Sequence, residues 1–308
     1  MKPNKKLLSV AVILILIAFA LYYFINNLSD FKQLSLVSPW LLVVLAMLFV
    51  LNYCFIGIIT NNLLRPFGVK LKGMEAFQLS IVTGFYNLIT PFRGGMAARA
   101  IYLKNKHNFA YENFMATLAA SYVLIFLVAS IVGMLSTWLI YTSSGVFSWF
   151  IFLIFLGLFI GMAGIVIIAP KLKERKNRWR NRIIQVINGW HLIRGNKRII
   201  VITSVLSLFQ LLVGTLMLYL QFRVFGINVP YSSTLFLATI GSLGIIIGIT
   251  PAGLGIQEAI TVFSALTIGI GTTEALSAAL LGRVVSLAVL FVLGPIFSYI
   301  LLKRKPQR

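Results

Sequence analysis

Charge is scarce in this chain, and negative charge scarcest of all. Asp, Glu, Lys and Arg together make up 11% of 308 residues, and six of them are acidic. A soluble globule of this size needs far more polar surface than that, so a soluble fold is excluded. Cysteine is limited to Cys54, which rules out a disulfide within the chain and leaves the redox compartment open. The two histidines, His107 and His191, fall in basic loops with no second ligand nearby in sequence, so neither a metal site nor a cofactor is expected.

What is present is apolar sequence, 59% of the whole. It comes in runs of about twenty residues, the length at which a helix rising about 1.5 Å per residue crosses about 30 Å of hydrocarbon. Six full spans are read, at Leu7 to Ile25, Trp40 to Leu64, Phe114 to Tyr141, Phe147 to Ala169, Ile199 to Phe225 and Leu276 to Leu302. The fold class is therefore an all-α polytopic membrane protein, one integral membrane domain over residues 1–308. The first run follows Lys2, Lys5 and Lys6, but it is too long for a cleaved signal and no small-residue cleavage site follows at "NNLSD", so it reads as an anchor.

The net charge of +21 invites a nucleic-acid reading that its distribution removes. With a cytoplasmic N-terminus, 23 of the 27 basic residues fall on one side, in the N-terminal arm, at 65–72, at 99–106, in a basic segment at 170–198 and after Leu302. That asymmetry predicts a multi-pass protein of the cytoplasmic (cell) membrane with both termini inside. Trp40, Trp138, Tyr141 and Trp149 gather at the opposite ends of the spans, as an interfacial belt does. In the basic segment Ile183, Val186, Ile187, Trp190 and Ile193 recur at helical spacing, which fits a helix lying on an anionic leaflet or a charge block that only fixes topology.

Two regions remain between the spans, and each must return to the side on which it began. Residues 74–104 enter from the cytoplasm with "PFRGG" at the turn, and residues 231–271 enter from outside with "PAGLG" at the turn. Their limbs are too short to cross, so they read as re-entrant hairpins, although the second could equally be two short crossings. Set side by side, "ITPFRGGMAARAI" and "ITPAGLGIQEAI" suggest an inverted repeat, with repeat 1 at about 40–141 and repeat 2 at about 199–302. Pro91 and Pro251 break the helices, and the amides of Gly94, Gly95, Gly253 and Gly255 are expected at the positive ends of half-helices that face the protein centre. Arg93 and Arg99 add cationic charge there, a constellation suited to an anion.

Glu258 and Arg283 are further charges placed in apolar sequence. They can pair as internal glue, or Arg283 can join Arg93 and Arg99 around an anionic headgroup while Glu258 orients an arginine or meets a cationic substituent. Glu75, Glu112 and Glu274 stand where helices start and read as dipole-complementing caps. "GLFIG" and "GIIIG", at 157–161 and 244–248, fit the small-xxx-small pattern that packs membrane helices together.

Through "PFRGGMAAR", "PAGLGIQEA" and "GRVVSLAVLFVLGP" the chain resembles the membrane domain of the lysylphosphatidylglycerol synthase/flippase family over nearly its whole length. Pro91, Arg93, Gly95 and Arg99 fall on the family's first motif, with Met96 where the family has a glutamate. Pro251, Gly253, Leu254, Gly255 and Glu258 match the second motif, and Arg283 a family arginine. The resemblance implies a flippase that moves an anionic, aminoacylated or polyprenyl-phosphate-linked lipid between leaflets. The aminoacyl-transferring members carry a large soluble domain after the membrane part; this chain runs to Arg308, so no enzymatic activity and no catalytic residue is expected. The alternative is a non-transporting scaffold, or an intramembrane transferase, working with a separate glycosyltransferase or lipid synthase.

Overall fold

A backbone N–H or C=O left without a partner in hydrocarbon costs several kcal/mol, and the described parts of this chain meet that demand with helix throughout. The computed structural model describes residues 37–145, 147–168, 171–172, 178–247 and 250–304. Among the described residues, five helices are long and apolar enough to cross a membrane. They are α1 (Leu41–Leu64), α4 (Tyr111–Ser144), α5 (Trp149–Ile167), α7 (Lys197–Val224) and α10 (Thr272–Lys303). Each lies on an expected span, within five residues at either end. The anchor expected at Leu7 to Ile25 lies outside the described residues.

Between these stand two pairs of shorter helices, α2 (Gly73–Ile89) with α3 (Gly94–His107), and α8 (Tyr231–Leu243) with α9 (Ile256–Leu266). At about 1.5 Å per residue their lengths are about 26, 21, 20 and 17 Å, each short of the hydrocarbon thickness. A further helix, α6 (Arg178–Arg194), links α5 to α7. Part of its apolar stripe is covered by the protein itself. Trp190 and Ile193 are buried against Ile59, Leu63, Ala120 and Leu124 of α1 and α4 while Ile183 is exposed, and Trp190 donates its indole N–H to the Ile165 carbonyl at 3.3 Å.

Proline chemistry sets both breaks. Thr90, ahead of Pro91, is extended at φ −125°, ψ 140°, and Thr250, ahead of Pro251, at φ −90°, ψ 155°, because the pyrrolidine ring disfavours helical backbone at the preceding residue. The first tip then turns through Phe92 and Arg93, both left-handed at φ 53° and 55°, a conformation that costs a non-glycine residue about 1 kcal/mol. The second tip turns through Gly253 and Gly255 at φ 70° and 78°, where glycine is free to go. The glycines of the first tip serve another purpose. A Cβ on Gly95 would stand 1.9 Å from the Thr83 carbonyl, and one on Gly94 2.3 Å from Thr90 Oγ1, so they let α3 lie directly on α2.

The packing is symmetric under exchange of the two halves. α1 packs on α7; α2 packs on α1 and α10 as α8 packs on α7 and α4; α3 meets α4 as α9 meets α10. Lipid supplies no hydrophobic drive between helices, so close approach and polar links hold them. Gly57 touches the Ala76 backbone, the Tyr53 ring lies over Gly84, and Phe85 lies over Gly294. Asn62 Nδ2 donates to Thr203 Oγ1 at 2.8 Å and joins α1 to α7. The expectation for "GLFIG" fails among the described residues, since nothing lies within 4 Å of a Cβ placed on Gly157 or Gly161; α5 instead rests Phe155 on Gly133 of α4. Gly244 does pack closely, on Gln257 and Ile260 of α9. Gly95→Ala is expected to cost about 2 kcal/mol or more, because a backbone carbonyl cannot move aside. Gly157→Ala should be neutral, and thermal unfolding of the two variants in detergent compares them directly.

Candidate functional site

The two breaks and the symmetric packing leave a cavity of about 500 Å³ at the centre, walled by α1, α2, α3, α4, α7 and α10 and by the second tip. Arg93, Met96 and Arg99 come to it from the first tip and α3, Gly253 and Gln257 from the second tip and α9, and Arg283 from α10. Residues about 160 positions apart in the sequence thus face one space.

Each guanidinium is held differently. Arg93 is the residue before the first turn of α3; its Nη1 donates to the Tyr122 hydroxyl on α4, and the group lies 5.8 Å from that ring's centre. Arg99 is 7% exposed, so it has left water almost entirely. Its Nε donates to Thr83 Oγ1 at 2.9 Å and its Nη1 to Thr60 Oγ1 at 3.1 Å. Both partners are neutral acceptors, and among the described residues no carboxylate forms an ion pair with Arg93 or Arg99. Neutral hydroxyls fix the direction of a guanidinium without cancelling its charge.

Arg283 is neutralised. Its Nε and Nη2 lie 2.8 and 2.7 Å from Glu258 Oε1, the pairing read from the sequence as internal glue. Glu258 also accepts the Gly255 N–H on Oε2 at 2.7 Å, closing the first turn of α9. The Gly255 amide is therefore taken up within its own tip. Of the eight residues expected at an anion site, Arg93, Arg99, Gly253 and Arg283 face the cavity, Glu258 stands behind Arg283, and Gly94, Gly95 and Gly255 are engaged in packing or capping. Pro91 and Pro251 lie at the tips as expected. Of the groups that aim the arginines, Thr83 reads from the sequence, with Gln78 and Asn87, as lining a polar path or bonding a neighbour, whereas Tyr122 and Thr60 carry no sequence signal that marks them out from other polar residues on membrane helices.

A second polar cluster closes the far end of the first hairpin. Glu75, fully buried, caps α2 as expected, and it also accepts from Tyr102 Oη at 2.7 Å, contacts His107 Nε2 at 2.7 Å and pairs with Arg304 at 3.4 Å. His107, with no second ligand nearby in sequence, takes its partner from tertiary structure: α3 folds back on α2 and returns His107 to the start of that helix. Among the described residues no group of three His, Cys, Asp or Glu side chains could hold a metal ion.

A family model described as lysylphosphatidylglycerol synthase TM region matches residues 6–294. The chain belongs to this family. No curated protein matches it. Membership in the lysylphosphatidylglycerol synthase TM family, together with five spanning helices, makes it a multi-pass membrane protein with a membrane-lipid-related function. The match extends across both tips, so the broken helices and the arginines belong to the family domain itself.

Removing the carboxylate of Glu75 leaves buried partners uncompensated, so Glu75→Ala is expected to lose about 3 kcal/mol of stability. Tyr102→Phe deletes one hydrogen bond and should lose about 1 kcal/mol. Denaturant unfolding in a fixed detergent, followed by tryptophan fluorescence, checks both.

Proposed function

We propose that this protein is a lipid translocase that takes the headgroup of an anionic, aminoacylated or polyprenyl-phosphate lipid into the central cavity and passes it between leaflets. The observation that carries this reading is the convergence of Arg93, Arg99 and Arg283, drawn from both halves, on one cavity. Guanidiniums match phosphate oxygens in charge and fork geometry, and each costs roughly 2.5–3.5 kcal/mol to insert at the centre of a helix, a cost without return unless the group is used.

In this reading α2–α3 and α8–α9 are re-entrant hairpins that enter from opposite faces, and the two halves are inverted repeats. The exchange symmetry of the packing supports that, as do the helix lengths, too short to cross. The distribution of basic residues supports cytoplasmic termini in the cell membrane. Rocking of one half against the other would open the cavity to each side in turn. An intramembrane transferase would need a general base beside the cavity. Glu258 is a poor one, since it does not line the cavity and both its oxygens are already engaged, Oε1 by Arg283 and Oε2 by the Gly255 amide.

The test is leaflet-resolved movement of fluorescent lipid analogues in liposomes containing the purified protein. Wild type should accelerate exchange of at least one phosphate-bearing lipid, and Arg93→Ala should slow it by about tenfold or more, the loss of one charge-assisted contact. Glu258→Gln should also slow it, by releasing Arg283 and uncapping α9. Lipid that co-purifies with wild type without ever changing leaflet would replace the translocase with a lipid-holding scaffold for a separate synthase or glycosyltransferase.

A further inference from the structure

The charges around the cavity do not balance, and the imbalance is specific. Arg93, Arg99 and Arg283 contribute three positive charges to the wall, and no carboxylate lines it. Glu258, paired with Arg283 from behind, cancels one. The chain has few other acids to offer: Glu75 is committed to His107, Tyr102 and Arg304, Glu112 and Glu274 stand in the first turns of α4 and α10, and Asp30 and Glu174 lie outside the described residues. Among the described residues the wall therefore carries a net charge of two, both positive and both on α3 or its cap.

Arg99 also has an open edge. Thr83 and Thr60 occupy its Nε and Nη1, and its Nη2 amino group makes no hydrogen bond among the described residues. Between the two uncompensated arginines, three residues from each, stands Met96, which lines the same cavity with an uncharged thioether. On a helix, residues three apart are neighbours, so this one position can reach both guanidiniums.

We infer that the cavity selects a lipid whose headgroup carries two negative charges, a phosphomonoester, and that Met96 is a specificity-determining residue because it leaves those charges uncompensated. The inference rests on the cavity being the headgroup site proposed above. A phosphomonoester returns the cavity wall to neutrality, with oxygens enough for both guanidinium forks. A phosphodiester such as phosphatidylglycerol leaves one positive charge unmatched. An aminoacylated phosphodiester brings ammonium groups toward two arginines in a medium where like charges repel strongly, and discrimination of this kind comes as much from repulsion as from attraction.

The experiment uses the full-length protein in phosphatidylcholine nanodiscs, titrated with phosphatidic acid, phosphatidylglycerol and lysyl-phosphatidylglycerol. Wild type is expected to bind phosphatidic acid about tenfold or more tightly than phosphatidylglycerol, with the lysyl lipid weakest. Met96→Glu should bring phosphatidic acid to within about threefold of phosphatidylglycerol and strengthen the lysyl lipid by about tenfold, while Met96→Gln, of similar size and neutral, keeps the wild-type order. Inorganic phosphate, run against chloride at equal ionic strength, separates a lipid site from a free-ion site: phosphate should compete better than chloride yet bind far more weakly than phosphatidic acid. Wild type that holds the lysyl lipid as tightly as phosphatidic acid, Met96→Glu and Met96→Gln of identical order, or free phosphate as tight as the lipid would each overturn the inference. The same preparations moved into liposomes keep the two ideas apart. Preferential binding of the phosphomonoester without transfer defeats the translocase and leaves the selectivity standing, and transfer without the preference does the reverse.

Discussion

A guanidinium set among lipid tails costs a few kcal/mol, about 2.5–3.5 on insertion scales, and this chain brings three to one cavity. Much of the surrounding structure follows from having to hold them away from lipid. Arg99 can stay buried because α2 and α1 offer the hydroxyls of Thr83 and Thr60. Those helices come close enough to do so because Gly57, Gly84 and Gly95 remove side chains at their crossings. Arg283 stays because Glu258 meets it, and Glu258 is where it is because it also closes the first turn of α9. Each charge is thereby tied to a backbone feature, so a change in helix packing at the tips is also a change in the electrostatics of the cavity.

The two tips solve one geometric problem with different chemistry. Both use proline to end a helix, yet the second turns through glycines at positive φ while the first forces Phe92 and Arg93 into the left-handed region. Left-handed backbone at a bulky residue persists only where its surroundings impose it. Here they do: the Tyr122 hydroxyl holds the Arg93 side chain from across the cavity, and Gly94 and Gly95 press the start of α3 onto α2. The strain sits at the residue whose side chain the cavity uses.

Spans were legible because hydrocarbon thickness imposes a length and a composition that the chain writes plainly; α1, α4, α5, α7 and α10 all fall where apolar runs stand. The tips were legible because "ITP" followed by glycine is improbable inside a spanning helix. Roles within the tips were not. Whether a glycine frees an amide or admits a neighbouring helix depends on what lies opposite, and for Gly95 that is the Thr83 carbonyl, twelve residues away. The same holds for His107, whose partner is thirty-two residues back, and for Tyr122, marked only by the arginine that reaches it. On α6 the periodicity marked an apolar stripe but not its cover, which for Trp190 and Ile193 is α1 and α4, because sequence periodicity records that a face is covered and not by what.

Symmetry and charge diverge in a way that bears on mechanism. Exchange of the halves maps α3 onto α9, yet the start of α3 carries uncompensated arginines and the start of α9 is capped by its own glutamate. In the proposed translocase a headgroup in the cavity would meet a strongly attractive half and a nearly neutral one. If the halves rock as proposed, a bound anion would move with α3 and slide past α9, because the positive charge without a carboxylate partner is concentrated on α3. An attraction shared equally by both halves would strengthen the hold of each on the other and resist opening. In that mechanism a neutral second tip would leave the interface between the halves free to part while the headgroup stays on one of them.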